Sequence, residues 1–275
     1  MMLAIVTLAA VSCGPKKTQK EAQKAPKMLV VYYSQTSNTQ QVANEIATRL
    51  NADLAEIVPV EPYENDFKAT IERGKKELDE GILPEIQPLT VNVADYDIVF
   101  LGYPIWFGTY APPVITFLDQ VDLSGKKIVP FCTFGSGGLE SSIQDLHKAE
   151  PNATILEGYG VRAARLEAMP KEIDEFLKAG GFIEGEAVQL GDFSDQQPVT
   201  EAEAAIFEAA VGDYPMMHAK PESVGSRAIP NGTEYLFVAV DLPREEMPDI
   251  PPMGMMKVYV NVVDGETPVF TRVFR

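Results

Sequence analysis

Between residues 28 and about 185, short apolar runs alternate with stretches of helical periodicity, and few architectures accommodate that pattern. The strand-like runs are 28–33, 53–58, 98–103, 127–134 and 154–156, and the helix-like runs are 39–50, 66–80, 112–120, 139–148 and 170–179. Strands joined one after another by helices run parallel, and their helices cover both faces of the sheet. The predicted fold class is therefore α/β, a doubly wound five-stranded parallel sheet. Residue choice at the helix ends agrees: Pro112 and Pro113 open one helix, and Gly180-Gly181 close another.

After Gly185 the alternation stops. A polar connector covers 191–198, and a helix over 200–210 begins with Thr200 and Glu203 in capping-box spacing. Strand-like segments follow at 235–240, 257–263 and 269–273, the last two separated by a stretch that starts Asp264-Gly265, a hairpin signal. The chain thus divides into a unit at 28–187 and a small α+β unit at 198–275, with the change at 188–198. No internal repeat is visible.

Open parallel sheets bind ligands at the carboxyl ends of their strands, and three loops there carry chemistry. The first is Ser34-Gln35-Thr36-Ser37-Asn38-Thr39, where hydroxyls, an amide and the first N–H groups of a helix converge, a setting suited to a phosphate monoester. The same residues also suit a plain helix N-cap. The second loop, Gly102 to Thr109, holds the chain's only tryptophan, Trp106, which can either stack on a flat aromatic ligand or close the core. The third, Thr133 to Gly138, is glycine-dense, so its backbone can approach a ligand or simply turn.

With these motifs, residues 28–185 resemble the flavodoxin family. The Ser-x-Thr-x-Asn-Thr loop, the Gly-Tyr-Pro-Ile-Trp-x-Gly-Thr segment and the Phe-Cys-Thr-Phe-Gly-Ser-Gly-Gly segment look like that family's three FMN loops. The resemblance implies FMN as cofactor. Ser34, Thr36, Ser37, Asn38 and Thr39 would hold its phosphate, with Ser37 standing where flavodoxins commonly have glycine. Pro104, Ile105, Trp106, Phe107 and Gly108 would flank one side of the isoalloxazine, and Phe134, Gly135 and Gly138 would close the other. It also implies a redox protein, either an electron carrier for a partner protein or an FMN-dependent reductase of a small acceptor such as a quinone. The alternative is a flavin-free binding protein whose C-terminal unit docks a partner. That unit weakly resembles cystatin-like modules, which implies docking rather than inhibition.

The net charge of −17 argues against nucleic acid as a partner. Residues 1–27 carry +4, which leaves −21 on the remainder. An acidic field of this size disfavours added negative charge on a reduced flavin and lowers its potential. Residues 14–27, with five lysines and two prolines, read as a flexible linker. Ahead of them, residues 1–13 are apolar or small and end in Cys13, too short to span a bilayer but matching the core of a secretory signal. The segment resembles the lipobox of bacterial lipoproteins. That implies lipidation at Cys13, a location in the bacterial cell envelope facing the periplasm, and membrane contact through the lipid anchor only. Cys132 reads as a small core residue. His147 and His218 read as solvated, and Met253, Met255 and Met256 as loop or packing residues.

Overall fold

The computed structural model describes residues 25–212, 214, 217–243, 252 and 254–274. The N-terminal segment with Cys13, and Met253, lie outside the described residues. The first sheet contains β1 (Met28–Tyr32), β2 (Asp53–Glu56), β3 (Ile98–Trp106), β5 (Lys127–Phe134), β6 (Thr154–Ile155) and β7 (Tyr159–Arg162), all parallel, in the order β2-β1-β3-β5, with β6 and β7 both pairing along β5. The two-residue β4 (Thr109–Tyr110) folds back antiparallel on β3.

Alternation along the strands assigns the two faces. Val30, Phe100, Val129 and Phe131 face α1 (Asn38–Leu50) and α5 (Met169–Ala179), whose Val42, Ile46, Ile173 and Leu177 close that core. Val31, Val99, Leu101 and Tyr103 face the other way, where Val114 and Phe117 of α3 (Pro112–Gln120) and Leu146 of α4 (Leu139–Ala149) cover them. The remaining helix, α2 (Phe67–Glu80), starts at Asp66, whose carboxylate accepts from the Ala69 N–H at 2.8 Å. Cys132 is fully buried, and desolvation holds its thiol well above the usual range. Its role is packing.

The second sheet is antiparallel, in the order β12-β11-β10-β9-β8: β8 (Gln197–Pro198), β9 (Ala219–Ile229), β10 (Gly232–Asp241), β11 (Met255–Val263) and β12 (Val269–Phe274). One face packs on α6 (Glu201–Val211), through Phe207, Val211, Phe237, Val258 and Phe270. Both halves of the Thr200/Glu203 capping box are formed. On the opposite face Glu234, nearly buried, accepts from Arg227 at 2.6–2.7 Å and from Arg272 at 3.1 Å. Arg227 lies over Phe193 and Arg272 over Tyr259, so the cations are screened by rings as well as by the carboxylate.

The strands depart from the pattern read in the sequence at β3–β4, β6–β7, β8 and β9. Strand β3 runs on to Trp106 and forms a hairpin with β4. The fifth strand position is shared by β6 and by β7, which the apolar run 154–156 does not reach. Strand β9 was not expected, because its residues are largely polar: one face of this sheet is only partly covered. No described helix is long and apolar enough to cross a membrane.

Candidate functional site

Strands β1, β3 and β5 are adjacent and parallel, so the loops after them leave the sheet side by side. In the first loop, Ser37 has φ 63°, the left-handed region that glycine enters freely and serine rarely. Its side chain makes no capping bond, so the amides that open α1 are not claimed by it. The hydroxyl of Ser34 accepts from the Gln40 N–H at 3.2 Å, and Thr36 and Ser37 are exposed. Thr39 points elsewhere. Its hydroxyl is buried and bonds to that of Thr133, 2.8 Å away at the head of the third loop.

The second loop is the β3–β4 hairpin. Ile105 pairs with Tyr110 and Trp106 with Thr109, which leaves a two-residue turn of Phe107 (φ 52°) and Gly108 (φ 86°). Positive φ at both positions is the mirror-type turn that matches strand twist. An aromatic residue at its first position carries strain that the hairpin imposes. The Phe107 ring is half exposed.

Trp106 is partly buried among aromatic neighbours. Tyr33 and Tyr63 meet it edge-on at centroid distances of 6.0 and 5.0 Å, and its ring passes close to Gly74 of α2, where a Cβ would lie 3.0 Å from the indole. Tyr63 in turn donates to Glu77, which also takes Arg73 at 2.8 Å, and the Arg73 guanidinium lies over the Tyr63 ring. Burial first, and the Glu77 carboxylate second, push the Tyr63 phenol far up and keep it protonated. Tyr33 donates to Gln35, whose amide reaches the Glu64 carbonyl, so the first loop is tied to the segment before α2.

In the third loop, Phe134 turns its ring into the core beside Gly160, and only its backbone borders the loop. Gly138, at φ 113°, opens α4, and a Cβ there would stand 2.5 Å from the Ile105 side chain. Ser141 on α4 bonds to the carbonyls of Gly108 and Gly138. The loops are therefore in direct contact pair by pair: first with third through Thr39 and Thr133, first with second through Tyr33 and Trp106, second with third through Ile105 and Gly138.

The structure thus gathers Ser34, Thr36, Ser37, Asn38, Pro104, Ile105, Trp106, Phe107, Gly108, Gly135 and Gly138 at one sheet edge, with the side chains of Thr39 and Phe134 turned inward. Tyr33, Tyr63 and Ser141 join the same cluster from outside the three motifs, brought in only by the fold, and Thr133, the first residue of the third loop, joins it as the partner of Thr39. His147 and His218 are exposed. Among the described residues no group of three or more His, Cys, Asp or Glu could hold a metal ion.

The family described as Flavodoxin matches residues 27–174. A relative from Paracoccus denitrificans, "NAD(P)H dehydrogenase (quinone)", is 28% identical over 195 residues, which is 66% of this chain and 89% of the relative. Among solved structures, a candidate flavoprotein from Bacteroides eggerthii is 31% identical, with 54% of this chain and 96% of that one covered at a TM-score of 0.48. A Lactobacillus acidophilus flavoprotein in complex with FMN is 23% identical, with 56% and 100% covered and a TM-score of 0.47.

Proposed function

Because this chain belongs to the flavodoxin family, we propose that its three touching loops bind flavin mononucleotide and that the protein is a redox flavoprotein, reducing a small acceptor such as a quinone. The observation that carries this reading is the pairwise contact of the loops at the carboxyl edge of the sheet.

The residues suit FMN. The Asn38 and Thr39 amides at the start of α1, with the Gln40 amide already taken by Ser34, and the exposed hydroxyls of Thr36 and Ser37 are donors for a phosphate dianion at the positive end of the helix. Ser34 and Asn38 flank that spot, and Thr39 contributes its backbone while its side chain locks the loop to Thr133. Pro104, Ile105, Trp106, Phe107 and Gly108 form one wall, with the half-exposed Phe107 at its rim. Gly135, Gly138 and the Phe134 backbone form the other, where the missing Cβ of Gly138 keeps the two walls close. Once bound, the flavin supplies the electron or hydride chemistry, while the chain's residues orient it and exclude water. The name of the Paracoccus relative supports a small-molecule acceptor over a protein partner.

The absorption spectrum of freshly purified protein tests this. A flavin band is expected, and FMN added to stripped protein should quench the fluorescence of Trp106, the chain's one tryptophan. Colourless protein whose fluorescence is indifferent to FMN refutes the reading.

We also propose that Cys13 is lipidated and that the protein is held at the periplasmic face of the cell envelope, on the strength of the signal-like residues 1–13. Cys13→Ala is expected to leave the membrane fraction or to accumulate as precursor. Wild-type protein found wholly in the cytosol would end this proposal.

A further inference from the structure

Arg162 ends β7 opposite Phe134 in the parallel register and is only 8% exposed. Its Nε donates to the Gly135 carbonyl at 2.9 Å, and its Nη1 donates to the Phe270 carbonyl of β12 at 2.8 Å. The guanidinium lies 4.0 Å from the centroid of the Phe270 ring and 4.8 Å from that of Tyr214. Among the described residues no carboxylate stands within ion-pair distance of it. Burying a cation without a counter-ion is expensive, and the fork geometry of arginine is what joins two carbonyls from separate parts of the chain.

A second set of contacts grips the same loop. The Val273 N–H donates to the Ser136 carbonyl at 3.0 Å, and Gly137 and Val273 form a parallel bridge. A Cβ on Gly137 would stand 2.1 Å from the Val273 carbonyl oxygen, and one on Gly135 would stand 3.2 Å from the Tyr214 hydroxyl. Of three consecutive loop residues, Ser136 and Gly137 are thus engaged directly by the second unit, and Gly135 through Arg162. Their neighbour Gly138 faces the β3–β4 hairpin.

We propose that Arg162 is a positioning residue for the third loop, and that the C-terminal sheet, by holding Arg162 and pairing with Ser136 and Gly137, is the outer wall of the cofactor site. This rests on the FMN reading above. The second unit is then part of the binding machinery: whatever shifts β12 shifts the backbone that borders the flavin. Arg162 acts through the Gly135 carbonyl rather than on the ligand.

The test uses full-length Arg162→Gln and Arg162→Lys. In cofactor-free protein, hydrogen exchange at residues 135–138 and 270–274 should speed up about tenfold or more in R162Q, with β1 and α1 unchanged. FMN affinity should fall about tenfold, and the visible circular dichroism of bound FMN should change. R162K keeps the charge and N–H donors but loses the fork that spans both carbonyls, so it should recover part of each effect, which a general loss of stability would not do. If R162Q does not fold, R162K decides alone, with a smaller change expected at the same residues. Wild-type exchange and FMN affinity in the variants would overturn the proposal, as would looser exchange with unchanged affinity. Wild-type protein that binds no FMN, while R162Q loosens residues 135–138, would refute the FMN reading and leave Arg162 as the latch between the two units.

Discussion

FMN is expected to bind more than about a hundredfold more tightly than riboflavin, the same molecule without its phosphate. Each charge-assisted hydrogen bond to a phosphate oxygen contributes ~1.5–3 kcal/mol, and two of them account for that ratio. In the proposed site the donors are the Asn38 and Thr39 amides of α1 and the exposed hydroxyls of Thr36 and Ser37. Isothermal titration of stripped protein with each ligand measures the ratio directly. Thr36→Ala should lower it about tenfold by weakening FMN alone, because an exposed hydroxyl contributes little to the fold. Equal affinities for the two ligands would dispose of the phosphate cradle, even if a flavin still bound by stacking.

The second large effect lies far from that loop. Glu234→Ala should destabilise the C-terminal sheet by about 3–5 kcal/mol, because it leaves Arg227 and Arg272 facing one another without the carboxylate that both contact. Trp106 sits in the first sheet, so its fluorescence and the far-ultraviolet circular dichroism should separate during urea unfolding. An early loss of β signal is expected, followed by the tryptophan transition. Coincident curves with a wild-type midpoint would show that the three-residue network contributes nothing.

What could be read from the sequence was whatever local periodicity or turn chemistry determines. The alternation from 28 to 185, the Thr200–Glu203 box and the Asp264-Gly265 hairpin are of that kind, and the parallel and antiparallel sheets follow from them. Strand β7 was missed because Gly160 and Arg162 interrupt its apolar character, and sheet pairing with β5 overrides so weak a local signal. Strand β9 escapes local reading because Lys220, Pro221, Glu222 and Ser223 look like a loop until β10 pairs with Lys220, Pro221 and Ser223, Glu222 being skipped at a register shift. The hairpin at Phe107-Gly108 defeats turn rules that expect asparagine or aspartate at the first position.

At the site, the three loops were legible as motifs, but the direction of individual side chains was not. The hydroxyl of Thr39 goes to Thr133, a partner 94 residues away that no spacing announces. Trp106 posed a choice between stacking on a ligand and closing the core. The structure answers with a mixed environment, in which the indole packs perpendicular to the Tyr33 and Tyr63 rings and against Gly74 while the residue keeps partial exposure.

The strand order of the second sheet also bears on which of its edges another copy could extend. An antiparallel sheet with free edges is a template for strand addition by another copy. Here one edge is the stub β8, two residues long and ending in Pro198, which has no N–H to offer. The other edge is β12, and part of its hydrogen-bonding rim is already occupied by Ser136 and Gly137. A proteolytic cut or an unfolded first unit would uncover that rim along the Val269–Phe274 strand. Fragments carrying the second sheet alone should therefore pair with one another through β12, a contact that the glycine loop forestalls in the whole chain.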